Sequence, residues 1–190
     1  MGERRDSADR LATYSDAVFA VIVTIMVLEL RAPEKPAFSA LWPLGPTLIS
    51  YAASYLFIAV IWINHHHLMR FVGEPTLRLI WINFVHLFMV SLLPFATNWI
   101  AVTRLARSPV ALYAGLFVFI DLAYNVFERE VLREATTPHV SVRARRLLRR
   151  RSLVVLVMFT TAVPVAFAAP RLGFALICTG LLLHLRPDVT

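Results

Sequence analysis

The chain has 190 residues, 58% of them hydrophobic and only 16% charged, with 19 Lys and Arg against 12 Asp and Glu for a net charge of +7. A mean hydropathy of +0.67 is too apolar for an ordinary soluble domain of this length, and several apolar runs have the roughly 18 to 25 residues that cross a hydrocarbon core as a helix. The basic excess falls between these runs and not on an aromatic-interleaved surface, which argues against a nucleic-acid partner. The one cysteine, Cys178, excludes an intramolecular disulfide and offers no zinc or redox motif.

Lipid leaves backbone polar groups unsatisfied unless the chain is helical. The expected class is therefore all-α: a single integral membrane domain over residues 1–190, with six transmembrane helices near 11–30, 46–69, 77–101, 109–128, 152–169 and 172–185. The first run carries Asp16 early and has no small-residue cleavage site, so it reads as a retained span and not as a signal peptide. The last two runs are short and joined by the tight turn Ala169-Pro170-Arg171.

Assigning alternate loops to alternate sides gathers Arg4, Arg5, Arg10, Arg70, Arg78, Arg129, Arg133, Arg143, Arg145, Arg146, Arg149, Arg150, Arg151 and Arg186 on one side. Arg31, Lys35, Arg104, Arg107 and Arg171 fall on the other. The positive-inside rule makes the first side cytoplasmic and places both termini there. The segment Arg143–Arg151, with Leu147 and Leu148 among its arginines, reads either as a solvated orientation signal or as a surface helix gripping anionic lipid headgroups. No helix carries regularly spaced arginines, which argues against steep voltage gating.

An acidic residue inside a span costs roughly 2.5–3.5 kcal/mol on insertion scales, so each one needs a partner. Glu29 sits at the end of the first span, within reach of water. Asp16 lies about two turns in. At the same depth the topology places Trp62, Asn64, His65, His66 and His67 of the second span and Asn83 and His86 of the third. Trp62, His65 and His66 share one helix face, as do Asn83 and His86. The three consecutive histidines point about 100° apart on a helix and cannot all face one ion, so neither metal nor cofactor is expected. One or two of them can instead donate to Asp16. Asp121, with Tyr124 and Asn125 one turn on, reads as an interhelical hydrogen bond or as an ion or proton relay. No Ser-His-Asp or paired-carboxylate spacing supports an enzyme.

Along the first helix, Ala17, Val21, Thr24, Ile25 and Leu28 form one stripe, apolar except for a single hydroxyl. Periodicity alone leaves both helix packing and pore lining open.

The run Arg10 to Leu30, with Tyr14-Ser15-Asp16-Ala17 at its centre, resembles the R-x-x-x-F-S-D-(G/A) first-helix signature of the endosomal and lysosomal potassium channel family, transmembrane protein 175, and of its single-repeat bacterial branch. Trp62-Ile63-Asn64-His65-His66 is similar to that family's W-x-N-H-H element, Asn83 matches a third-helix asparagine, and Leu92-Leu93-Pro94-Phe95 resembles the L-L-P-F end of that helix. The resemblance covers roughly residues 10–99. It implies a six-helix subunit of the bacterial inner membrane, assembled as a homotetramer whose four first helices line a potassium-permeable pore without a carbonyl-lined filter loop. No T-V-G-Y-G run occurs here.

The implied pore-facing positions are Val21, Thr24, Ile25 and Leu28, the stripe already found. Rings of apolar side chains there would force an ion to shed water, and a ring of Thr24 hydroxyls would replace some of it. Arg10, Tyr14, Ser15, Asp16, Trp62, His65 and Asn83 fall on the signature positions that hold the helix in register. Tyr14 stands where the signature has phenylalanine. Val21 is smaller than the usual isoleucine or leucine, which leaves Leu28 as the narrowest ring. A secondary transporter or proton pathway using Asp16, Asp121 and the histidines is the competing expectation.

Overall fold

With no water in the hydrocarbon to satisfy a backbone N–H or C=O, the chain is helical over most of its length. The structure is a computed structural model. It describes residues 2–134 and 142–184, with side chains over 7–134 and 152–183. Within these residues the helices are α1 (Gly2–Leu28), α2 (Gly45–Met69), α3 (Leu77–Ser91), α4 (Leu93–Val102), α5 (Arg107–Glu134), α6 (Val142–Ala168) and α7 (Pro170–His184). Four helical stretches, Ser7–Leu28, Phe38–Met69, Leu77–Val102 and Arg107–Glu134, are long and apolar enough to cross a membrane, and Ser152–Ala168 and Pro170–Leu183 are shorter. The 22 residues of the first extend about 33 Å at 1.5 Å per residue, matching a core of about 30 Å.

Two elements depart from expectation. The third run is not one helix, because it breaks at Leu92 into α3 and α4. Pro94 has no N–H to give the carbonyl of Val90, and the Leu92 N–H turns back to the carbonyls of Met89 and Val90. The loop after α1 contains an unforeseen 3-10 turn, Phe38–Leu44, with no buried residue. The turn from α4 to α5 closes by a Leu105 N–H to Ile100 carbonyl bond of 3.1 Å. It holds Arg104 and Leu105 at φ 50° and 63°, the left-handed geometry that ends many helices and that usually falls to glycine.

Helix α1 lies on a surface made by α2, α3 and α4, while α5 packs against α3, α4, α6 and α7. The core runs through a ring cluster in which Phe57 stacks on Phe117 at 4.0 Å and Phe159 meets Phe117 edge-on at 5.2 Å. Helices α6 and α7 approach closely at Gly173, where a Cβ would lie 3.0 Å from the Ala166 Cα. Cys178 is half-buried against this core and serves as a packing residue. The arginines from 143 to 151 fall in the N-terminal part of α6, and their side chains lie outside the described residues.

Candidate functional site

Helix α1 has two unlike faces. Leu11, Ser15, Phe19, Ile22 and Met26, spaced by three or four residues, are buried against the rest of the chain. On the opposite face Val21 is 56% exposed, Ile25 44% and Leu28 75%, and Ala17, Ala20 and Thr24 are exposed with them. The whole predicted stripe is thus turned away from its own subunit. Phe19, the one phenylalanine of α1, is on the buried side, so between Ala17 and Leu28 the free face carries only small or aliphatic side chains and one hydroxyl. The Thr24 hydroxyl donates to the Ala20 carbonyl at 2.8 Å. Its proton is thereby tied to the helix and its lone pairs stay outward, ready to accept or to coordinate.

Behind this face, polar side chains hold α1 in register. Ser15 is fully buried and its hydroxyl donates to the Leu11 carbonyl at 2.9 Å. Asn83 of α3 donates through Nδ2 to the Ser15 Oγ at 3.0 Å. The Asn83 Oδ1 lies 2.8 Å from Nε2 of the buried His65 of α2. Because that oxygen can only accept, the His65 proton sits on Nε2. One directional chain, His65 to Asn83 to Ser15 to Leu11, therefore joins three helices. Beside it the Trp62 indole donates to Asp16 Oδ1 at 2.8 Å.

Ser15, Asp16, Trp62, His65 and Asn83 are thus brought together. The donor to Asp16 is Trp62, whereas His65 bonds Asn83. Tyr14 stands on the free side, its ring 5.4 Å from that of Phe84. Arg10 is exposed and makes no ion pair among the described residues. The three histidines diverge: His65 is buried, His66 stacks on Trp62 at 5.4 Å, and His67 donates from Nδ1 to the Ile63 carbonyl at 2.7 Å. Among the described residues no group of three His, Cys, Asp or Glu is placed to hold a metal.

Three further polar groups surround this site. His65, His86 and Phe127 stand with near-parallel rings, His65 to Phe127 at 5.0 Å and His65 to His86 at 6.2 Å. His65 Nδ1 and both nitrogens of His86 are buried without a hydrogen-bond partner. Asp121 accepts from Asn125 at 3.1 Å, and Asn125 in turn accepts from Ser152 of α6 at 3.0 Å. Asp121 thus bonds within its own helix, and the interhelical bond is made by Asn125 instead. The third group was not foreseen. Thr97 donates to the Leu93 carbonyl at 2.7 Å and so must accept from Ser54 at 2.6 Å, while Ser54 accepts from Tyr113 at 2.5 Å. These hydroxyls pin α2, α4 and α5 together beside the break at Leu92. Their only trace in the sequence is three hydroxyl residues inside apolar runs.

The comparisons agree with this geometry. Residues 10–94 match the family model of the endosomal/lysosomal potassium channel TMEM175. A protein of Chryseobacterium sp. (strain P1-3) named as a potassium channel is 39% identical over 124 residues, 65% of this chain and 65% of that one, so the chain spans slightly less than two thirds of this relative's length. The human protein named endosomal/lysosomal proton channel TMEM175 is 29% identical over 115 residues, 54% of this chain and 22% of that one. The crystal structure titled as a lysosomal potassium-selective channel TMEM175 homolog from Chamaesiphon minutus shares the fold with a TM-score of 0.78 and 22% identity, covering 94% of this chain and 96% of that one. The matched region holds the residues that tie α1 to α2 and α3, and the chain is a multi-pass membrane protein that is similar over that region to the TMEM175 family.

Proposed function

We propose that the chain is one subunit of a potassium-permeable channel, not an enzyme, in which the α1 helices of four copies surround the pore and present Val21, Thr24, Ile25 and Leu28 to the ion. The observation that carries this reading is the exposed face of α1, which is free of bulky rings from Ala17 to Leu28. Helices α3 and α4 instead offer Trp81, Phe84, Phe88 and Phe95, side chains suited to acyl chains, and although α6 and α7 also expose aliphatic residues such as Val157 and Leu172, these lie outside the region that carries the first-helix signature. Helices meeting around an axis at separations of 8–10 Å leave room for an ion only where their facing side chains are small. Leu28 and Val21 form apolar constrictions that dewet when narrow, and Thr24 offers four outward hydroxyl oxygens between them. The positive-inside count puts both termini in the cytoplasm, so Leu28 lies toward the outer mouth. The arginines from 143 to 151 then lie at the inner headgroups, where anionic lipid would hold them.

Protein reconstituted in a potassium/sodium gradient should give a reversal potential displaced toward that of potassium. An unselective current, or none, overturns the reading.

A second reading, a proton pathway, is favoured by the partnerless nitrogens of His86, by Asp121, and by the proton-channel name of the human relative. Flux that rises steeply with a proton gradient and is abolished in Asp121→Asn would select it over the potassium pore.

A further inference from the structure

Between the C-terminal end of α1 and helices α2 and α4 lies a cleft of about 10 Å³, room for one water-sized particle. It is on the side of α1 away from the free stripe, because Met26, Glu29 and Leu30 line it, and Glu29 is turned about 100° from Leu28. Four of its lining residues carry polar groups: Glu29 a carboxylate, Thr47 and Tyr51 hydroxyls, and Asn98 an amide. None of these four side chains makes a hydrogen bond or ion pair with the described part of the protein. By contrast, the hydroxyls of Ser50 and Thr97 close by already donate to carbonyls of their own helices.

The chemistry of the cleft narrows what it would hold. All four groups are hard oxygen donors, and only one is charged, which suits a monovalent ion; calcium-type sites gather six to eight oxygens with more carboxylates. The C-terminal ends of α1 and α4 add partial negative charge, outweighing the single N-terminal end that α2 brings. The size limit matches one alkali cation with its hydration largely removed.

We propose that this cleft binds a single alkali cation of sodium or potassium size, with Glu29 as its charged ligand and Thr47, Tyr51 and Asn98 as neutral ones. The bound ion fastens the end of α1 to α2 and α4. Leu28 immediately precedes Glu29 in the chain, so occupancy fixes the Leu28 ring from behind. This last consequence rests on the pore reading, whereas the binding itself does not.

The test is thermal unfolding of the purified full-length protein in detergent. It compares potassium, sodium and N-methylglucamine chlorides at constant ionic strength, in wild type, Glu29→Gln, Asn98→Ala and Thr24→Val. The wild type should be stabilised saturably by one or both alkali cations. Glu29→Gln should raise the half-maximal concentration by at least about tenfold, since the charge attraction of the carboxylate is lost, and Thr24→Val should leave it unchanged. Alkali stabilisation that persists in Glu29→Gln overturns the site. If the same stabilisation disappears in Thr24→Val, the cation belongs to the pore, which supports the channel reading while refuting this one. As a second measurement, crystals grown with thallium(I) should show anomalous density against Glu29, and density confined to the axis beside Thr24 overturns the proposal.

Discussion

Replacing Asn83 with alanine is the most direct way to measure what holds α1 in place. Asn83 is fully buried and bridges two helices to its own, receiving the His65 Nε2 proton at 2.8 Å and donating to Ser15 Oγ at 3.0 Å. Truncation removes both bonds. Each interhelical hydrogen bond in a membrane protein contributes on average about 0.6 and at most about 1.7 kcal/mol. The larger effect is what remains: the His65 N–H is left buried without an acceptor, a loss of about 1–3 kcal/mol, on a ring whose Nδ1 already lacks a partner.

The expected total for Asn83→Ala is about 2–4 kcal/mol, against about 0.6–1.7 kcal/mol for Ser15→Ala, which removes one interhelical bond and a donor to the Leu11 carbonyl within α1. Unfolding by denaturant in mixed micelles gives both values, and the double variant closes a cycle whose coupling should be about 0.6–1.7 kcal/mol. Thr13→Ala serves as the reference, because Thr13 is exposed and bonds only the Asp9 carbonyl. If Asn83→Ala costs no more than Thr13→Ala, or if the cycle shows no coupling, the chain of bonds from His65 to Ser15 does not hold α1.

Leu28→Ala and Val21→Ala should each raise single-channel conductance or lower potassium preference, and Thr24→Val should lower preference without widening the pore; unchanged permeation in all three returns the stripe to packing. Tyr113→Phe should cost about 0.6–1.7 kcal/mol, the value of one interhelical bond to Ser54, and wild-type stability in that variant would mean that the hydroxyl chain carries nothing. Gly173→Leu should cost at least about 1–3 kcal/mol by overpacking the contact with Ala166, seen as earlier thermal aggregation, whereas an unaltered melting curve would show that α6 and α7 can part freely. In hydrogen exchange, amides around Ser15 to Phe19 should be better protected than those around Thr24 to Glu29, and equal protection would contradict the uneven anchoring of α1.

What could be foreseen in the sequence follows from energetic conspicuousness. A carboxylate such as Asp16 in an apolar run demands partners, and Trp62, His65 and Asn83 are among the seven polar residues expected at its depth, with Asn64, His66, His67 and His86. Which donor meets which acceptor was beyond reach. Depth alone does not separate a Trp62–Asp16 bond from a His65–Asp16 bond, because rotation of α2 by a fraction of a turn exchanges them. The Ser54–Thr97–Tyr113 chain escaped notice for a different reason. A serine or threonine in a helix can satisfy itself on the carbonyl four residues back, as Thr24, Ser50, Thr160 and Thr179 all do, so a lone hydroxyl announces nothing about a neighbour. Pro94 lies inside the expected third run of 77–101, where an apolar stretch long enough to cross gives no sign of a break; the helix stops at Leu92, and α4 carries the run on.

The way α1 is held has a consequence for how its free face can work. A helix that lines a pore must keep one side bare, so its rotation and height have to be fixed from the other side alone. Here, among the described residues, the hydrogen bonds from α1 side chains to other helices fall within one turn, at Ser15 and Asp16. From Thr24 onward, the hydrogen bonds made by the α1 side chains among the described residues stay within their own helix, and the fastening to neighbours is the apolar contact of Met26 beside the cleft at the end of the helix. Hydrogen bonds fix direction, whereas apolar contact tolerates sliding and tilt. The Ser15 end therefore acts as the fixed pivot of α1, and in the proposed pore the Leu28 end, farthest from that pivot, is where a small tilt would change the aperture most.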